Sequence, residues 1–203
     1  MGVTEKRAQH KEEFRREILD AARDLFIKDG YEEFSMRKLA QKIDYSPTTI
    51  YLYYKNKDDL LLAICEEFSE QFFTHLHQIR MLSNDPLESL RQALLYFTKF
   101  WLGNPNQFKV FFFTKPNVYG TKEEFMEKDS MARDTYLIFR EMVRDCIKTG
   151  KLADIDAEVL THAFGVIPHG LIAMTFYSSS FPRADSNVVA QTLVDGLLRG
   201  FQR

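Results

Sequence analysis

Residues 34–60 read FSMRKLAQKIDYSPTTIYLYYKNKDDL, and their pattern predicts two short helices joined by a tight turn. Ser35 supplies a hydroxyl for an orphan amide of the first helix, and Met36, Leu39, Ala40 and Ile43 then recur at spacings of three and four. One face is therefore apolar, while Arg37, Lys38, Gln41 and Lys42 lie mostly elsewhere. Asp44 and Tyr45 break the pattern, and Asp is among the few non-glycine residues that enter the left-handed region a helix end often needs. Ser46 caps the second helix, with Pro47 in the first helical position, where a missing N–H costs nothing and φ is already set. Ile50 and Tyr54, one turn apart, are placed to pack inward. This is the pattern of a helix-turn-helix.

The outward side suits a nucleic-acid duplex. Thr48, Thr49, Tyr51 and Tyr53 offer hydroxyls to phosphate oxygens and rings to sugars, and the helix N-terminus adds oriented N–H groups. Lys55 and Lys57 follow at once. Between Ser35 and Lys57 the basic residues are Arg37, Lys38, Lys42, Lys55 and Lys57, against Asp44 alone. The chain as a whole carries a net charge of −2, and residues 1–60 hold twelve basic and twelve acidic side chains. Any DNA affinity must therefore come from local placement rather than from a bulk positive field. A solvated helix pair without a partner is the plainer alternative; it leaves the agreement of cap, turn and hydroxyls unexplained.

From about Arg16 to Ile64 the chain resembles the TetR (tetracycline repressor) family of bacterial transcription regulators. The likeness lies in the ILDAARDLF helix with Gly30 after it, the stretch SMRKLAQKIDYSPTTIYLYYKNKDDLLLAI, and the Tyr51-x-x-Tyr54-x-x-Lys57 segment. Carried over by matched position, it implies that Arg37 reaches a base edge or phosphate, and that Ser46, Pro47 and Thr48 open the recognition helix. Thr49, Tyr51, Tyr53 and Lys57 then resemble backbone-clamping positions, and Ser35 and Lys55 complete the expected DNA-binding set. Two residues depart from the family pattern: Asp44 stands where Gly is usual, and Leu52 stands where a polar or larger aromatic residue is common. The remaining chain matches only in length and helical character.

The rest of the pattern predicts an all-α protein of about nine helices. Phe14, Ile18, Ala21, Ala22, Leu25 and Phe26 mark a first helix closed by Gly30, and residues 1–10 read as a polar, mobile arm. A long fourth helix is expected over about 58–80, and a fifth from Pro86 to the Gly103-Asn104-Pro105 break. Further helices are expected at about 106–115, 121–149, 156–179 and 186–201, separated at Pro116-Asn117, Gly120, Gly150 and Pro182. The expected division is a DNA-binding domain over 11–71, comprising a three-helix head and the start of the linking helix, and a C-terminal effector-binding and dimerisation domain over 72–203. No apolar run is expected to reach the roughly 18–20 residues of a membrane span. Cys65 and Cys146 have no metal-type spacing and no secretory leader is evident, which fits a reducing cytoplasm.

Eighteen phenylalanines supply enough aromatic area to line an apolar pocket as well as fill a core. The family resemblance implies a small effector held among the later helices. The expected pocket wall is Phe72, Phe97, Trp101, Phe108, Phe112, Tyr136, Phe139 and His169, with Arg140 as carboxylate partner and a lipophilic ligand as occupant. On the last two helices Gly165, Gly170, Leu171 and Ala173, with Leu193, Gly196, Leu197 and Gly200, predict close helix approach. Either a homodimer interface or packing within one chain supplies it. His162 and His169 share a face but lack a third ligand, so no metal is expected; no cofactor and no catalytic motif is recognised. The functional expectation is a homodimeric repressor released from a palindromic operator in double-stranded DNA by a small effector, without membrane association. The alternative is a DNA-anchored factor whose C-terminal domain recruits a protein partner.

Overall fold

Side-chain caps set the helix boundaries of the head. The computed structural model describes residues 2–114, 117–177 and 184–202, so the expected breaks at Pro116 and Pro182 lie outside the described residues. Helix α1 spans Val3–Glu33 and is kinked at Gly30, whose φ of 78° only glycine adopts without strain. The first ten residues are not the expected irregular arm: the helix begins at Val3, and the Gly2 amide donates to Glu5 Oε2 at 2.7 Å. Helix α2 (Met36–Lys42) starts where the Lys38 amide donates to Ser35 Oγ, and α3 (Pro47–Tyr51) where the Thr49 amide donates to Ser46 Oγ at 3.1 Å. Asp44 adopts the left-handed conformation, φ 57°, alone among the described non-glycine residues.

Burial follows the predicted faces. Ile18, Ala22, Leu39 and Ile50 are fully enclosed, with Phe14, Phe26, Met36, Ala40 and Tyr54 nearly so. Each large aliphatic among them contributes about 1.5–3 kcal/mol relative to exposure. Helix α2 packs on α1 and on α3.

The described residues divide by internal packing into two units, Met1–Phe68 with Asn106–Lys128, and Ser69–Pro105 with Asp129–Arg203. Helix α4 (Lys57–Leu82) crosses this division. The first unit thus adds to the head α6 (Pro105–Phe113) and the short α7 (Lys122–Glu127). Tyr119 Oη donates to Glu66 Oε1 at 2.9 Å, and Phe111 stands edge-on to Phe68.

The second unit is a helical bundle in which α5 (Pro86–Gly103) packs against α8 (Met131–Lys148), α9 (Ala157–Tyr177) and α10 (Ser186–Phe201). Its core gathers Leu76, Leu90, Leu94, Val143, Cys146, Leu152, Leu160, Phe164 and Val194. Ion pairs Arg80–Asp145 at 2.7 Å and Arg91–Asp195 at 2.6 Å tie its rim. The Arg91 guanidinium holds the Asp195 carboxyl below the usual carboxylate range.

Two further expectations are corrected. The single helix over 121–149 is two: Lys128 turns extended, and Ser130 restarts the chain by accepting from the Arg133 amide at 3.2 Å. That raises the number to ten helices among the described residues. Helix α9 has 21 residues and contains an 18-residue stretch of mean hydropathy 1.4, long and apolar enough to cross a membrane by length and composition, where the sequence pattern predicts no such run. His169 and Pro168 interrupt the run, but neither lowers its mean hydropathy enough to exclude it. The core helix of a globular bundle passes the same test, and Leu160, Phe164, Pro168 and Ile172 are buried along one side of α9.

Candidate nucleic-acid interface

The head sorts its cations into two groups. Lys38 Nζ donates to the Glu33 carbonyl at 2.7 Å and lies 3.5 Å from Asp29, and Lys42 Nζ lies 3.0 Å from Asp24. Lys57 Nζ donates to the Tyr31 carbonyl at 3.2 Å and sits 3.9 Å from the centre of the Tyr31 ring. The Tyr31 hydroxyl in turn donates to Asp58; burial and this bond push its phenol up to about 12. Lys57 is therefore engaged inside the head rather than standing free for a phosphate. Arg37 and Lys55, by contrast, are exposed, and the guanidinium and ammonium groups make no ion pair or hydrogen bond among the described residues, although the Lys55 amide donates to Asp59 Oδ2 at 3.0 Å. Their positive charge is available to a polyanion.

The hydroxyl side chains divide likewise. Ser46 Oγ and Thr49 Oγ1 share a hydrogen bond of 2.8 Å, so both serve the start of α3. Ser35 caps α2, and Pro47 sits exposed in the first turn of α3. Thr48 is exposed, and Tyr51 is half exposed. Tyr53 leans its ring edge-on against Phe14 at 5.1 Å, and Tyr45 lies 4.4 Å from the same ring. Tyr54 is buried, receives a hydrogen bond from Arg15 Nε at 3.1 Å, and lies beneath its guanidinium. Helix α3 and its flanks are thus held by α1 through Phe14 and leave Thr48, Tyr51 and Leu52 open.

Of the expected pocket residues, Phe72, Phe97, Trp101 and His169 come together in the second unit. Phe72 lies 5.6 Å from Phe97 and 5.5 Å from Trp101, and His169 lies 5.0 Å from Phe97. Tyr96 and Phe100, not singled out from sequence, belong to the same ring cluster, with Tyr96 stacked on His75 at 3.6 Å. Burial lowers the His169 pKa, partly offset by the Gly165 carbonyl 2.6 Å from Nδ1, so the ring is neutral near pH 7. Phe139 packs on the core, whereas Tyr136 stands 6.3 Å from His162 with the Arg140 guanidinium over its ring. Arg140 has no carboxylate partner among the described residues, and its Nε is buried without a hydrogen bond. Phe108 and Phe112 pair at 4.8 Å within the first unit.

The small-residue stripe is open. A Cβ added at Gly165, Gly170, Gly196 or Gly200 would meet nothing within 4 Å, so packing within one chain does not account for these glycines among the described residues. Leu171 and Ala173 are half-buried, Leu193 is exposed, and Leu197 turns toward the core. Sequence reading missed Val159, Val166, Met174 and Val188, all more than half exposed. The signal was present: Val159, Val166 and Gly170 fall on one side of α9, opposite Leu160, Phe164 and Pro168.

Residues 18–64 match the family model of bacterial regulatory proteins, tetR family. A fatty acid metabolism regulator protein of Bacillus subtilis is 34% identical over 62 residues, which are 30% of this chain and 32% of that protein, so the chain matches about a third of that relative's length. Among solved structures, a transcriptional regulator of the TetR/AcrR family from Thermobifida fusca is 25% identical, with a TM-score of 0.68 over 94% of this chain and 100% of the other. The regulator FadR of Bacillus subtilis, in complex with stearoyl-CoA, shares the fold at a TM-score of 0.75 and 18% identity, over 92% of this chain and 99% of that one. With a head capped and packed as described, residues 18–64 form a domain of the tetR family of bacterial regulatory proteins, and the described remainder shares the helical fold of TetR/AcrR-family structures.

Proposed function

We propose that this chain is a homodimeric DNA-binding repressor, released from a palindromic operator when a small lipophilic effector occupies its C-terminal domain. One observation carries the DNA-binding part: in a chain of net charge −2, the Arg37 and Lys55 side chains stay unpaired among the described residues, and α3 leaves Thr48 and Tyr51 open. Unpaired cations near a duplex exchange counterions for phosphates, which drives binding without a bulk positive surface. In this reading residues 11–71 grip DNA, with Arg37 and Thr48 reaching toward bases and Tyr51, Tyr53 and Lys55 holding the backbone. Ser35, Ser46, Pro47 and Thr49 shape the two helix starts. Lys57 acts by joining the start of α4 to Tyr31, and a phosphate contact would draw it from that position.

In this reading residues 72–203 serve as the effector and dimer domain, although 106–128 pack in the head's unit. The open glycine stripe, flanked by Val159, Val166, Met174 and Val188, supports a two-fold helix pairing, and two heads joined in this way suit half-sites one helical turn apart. The aromatic cluster supports a lipophilic effector, and Arg140, without an acid partner among the described residues, supports an anionic group on it. A regulator with this fold binds stearoyl-CoA, so long-chain acyl-CoA is the first probe. Helix α4 belongs to both units and is the route by which an effector would alter head spacing. A preference of about 1–3 kcal/mol for the non-binding state changes affinity 5- to 150-fold. Duplexes selected from a random pool, titrated with and without stearoyl-CoA, test this: linked affinities are expected, and equal ligand affinity for free and DNA-bound protein would sink the coupling.

A further inference from the structure

We propose that Leu52 reads a thymine methyl group in the major groove, a specificity contact that rests on the DNA-binding reading above. Leu52 is 79% exposed, the barest large apolar side chain of its unit among the described residues. It lies one residue beyond α3, but its φ of −70° and ψ of −20° continue the helical path, so it stands one turn from Thr48 on the same side. Tyr51 next to it is half exposed, Lys55 follows three residues later, and Arg37 opens α2, which packs on α3. An apolar group is thus set among hydroxyls and unpaired cations. That surroundings suits a partner whose outer surface is anionic and whose recessed surface carries an isolated apolar spot.

Duplex DNA has this arrangement. Phosphates line the groove edges, and of the groups that base pairs present in the major groove only the thymine C5-methyl is apolar. A leucine has neither donor nor acceptor, so it gains nothing from guanine O6, adenine N6 or cytosine N4 and would leave them desolvated. Thr48, with a hydroxyl that both donates and accepts, is tolerant where Leu52 is selective. An extended apolar protein or lipid surface fits less well, because it would strand Arg37, Thr48 and Lys55 without polar partners.

The test uses the full chain and duplexes it enriches from a random pool. Each thymine of a recovered duplex is replaced in turn by deoxyuridine, which keeps the pairing and the O4 acceptor and lacks only the methyl. One thymine in each half-site should weaken binding about fourfold when its methyl is lost, the worth of one buried methyl. That sensitivity should vanish in Leu52→Ala and in Leu52→Gln, the latter keeping side-chain length. Thermal melting should be unchanged in both, as expected for an exposed position. Retained sensitivity in the variants, or no sensitive thymine, overturns the Leu52 assignment while DNA binding stands. If no duplex is enriched, the DNA-binding reading fails and this contact with it.

Discussion

The head and the C-terminal bundle are both helical, yet different forces define them. In residues 34–60 the boundaries are written in side chains one turn from the backbone groups they satisfy: Ser35 on the Lys38 amide, Ser46 on the Thr49 amide, and Asp44 in the left-handed turn. In the bundle, α8 and α10 are also capped, by Ser130 and Asp185, but position comes from rings and aliphatics distant in sequence, such as Phe97 on His169 and Leu76 beside Val143. The head can therefore keep its outer face polar and poised. The bundle is free to leave one side of α9 apolar and bare.

The sharpest way to break this contrast is to empty each core. Trp101→Ala, at a fully enclosed site, should cost about 3–5 kcal/mol, and Leu39→Ala about 2–5 kcal/mol in the head, read by chemical denaturation. Next, Val166→Glu sets a charge on the bare side of α9. It should leave the monomer folded and weaken association by on the order of 2 kcal/mol, visible as a fall in mass by sedimentation. An unchanged mass would place the dimer face elsewhere.

Within the head, Arg37→Ala and Lys55→Ala should each lower affinity for a selected duplex roughly tenfold and reduce the salt slope by about one. Lys38→Ala and Lys42→Ala should do much less, because their ammonium groups already face Glu33, Asp29 and Asp24. Equal losses at all four would show that the internal pairs are not retained on DNA. Ser46→Ala should cost about 1 kcal/mol of head stability.

The smallest effect is the pH response of His169. Its folded pKa lies below the ordinary 6.5, so the unfolded chain binds the extra proton first. Its contribution is complete above that value and is lost as pH falls through the folded pKa. Melting temperature should therefore drop more between pH 7.5 and 5 in the wild type than in His169→Phe, and parallel curves would remove the effect.

Particular residues show how much was legible. The apolar face of α2, the Pro47 start and the inward Ile50 and Tyr54 follow from spacing alone. The break between α7 and α8 was missed although Ser130 marks it, because the apolar period continues in register across the gap and hides the cap. Arg37 and Lys57 look alike as basic residues of one segment. Only their neighbours distinguish them, since the carbonyl and ring that hold Lys57 come from Tyr31, 26 positions earlier. The aromatic list behaved similarly: Phe97 and His169 meet, whereas Phe108 and Phe112 group with the head's own unit.

The sequence by itself determined the helical class and the helix-turn-helix, because capping and the 3.6-residue period are interactions over a few residues that any reader of the chain can locate. Tertiary structure decided which cations remain free, which rings cluster and which side of α9 lies bare. Those outcomes depend on packing between segments far apart in the chain, where composition states what is available and only the folded neighbours determine what is used.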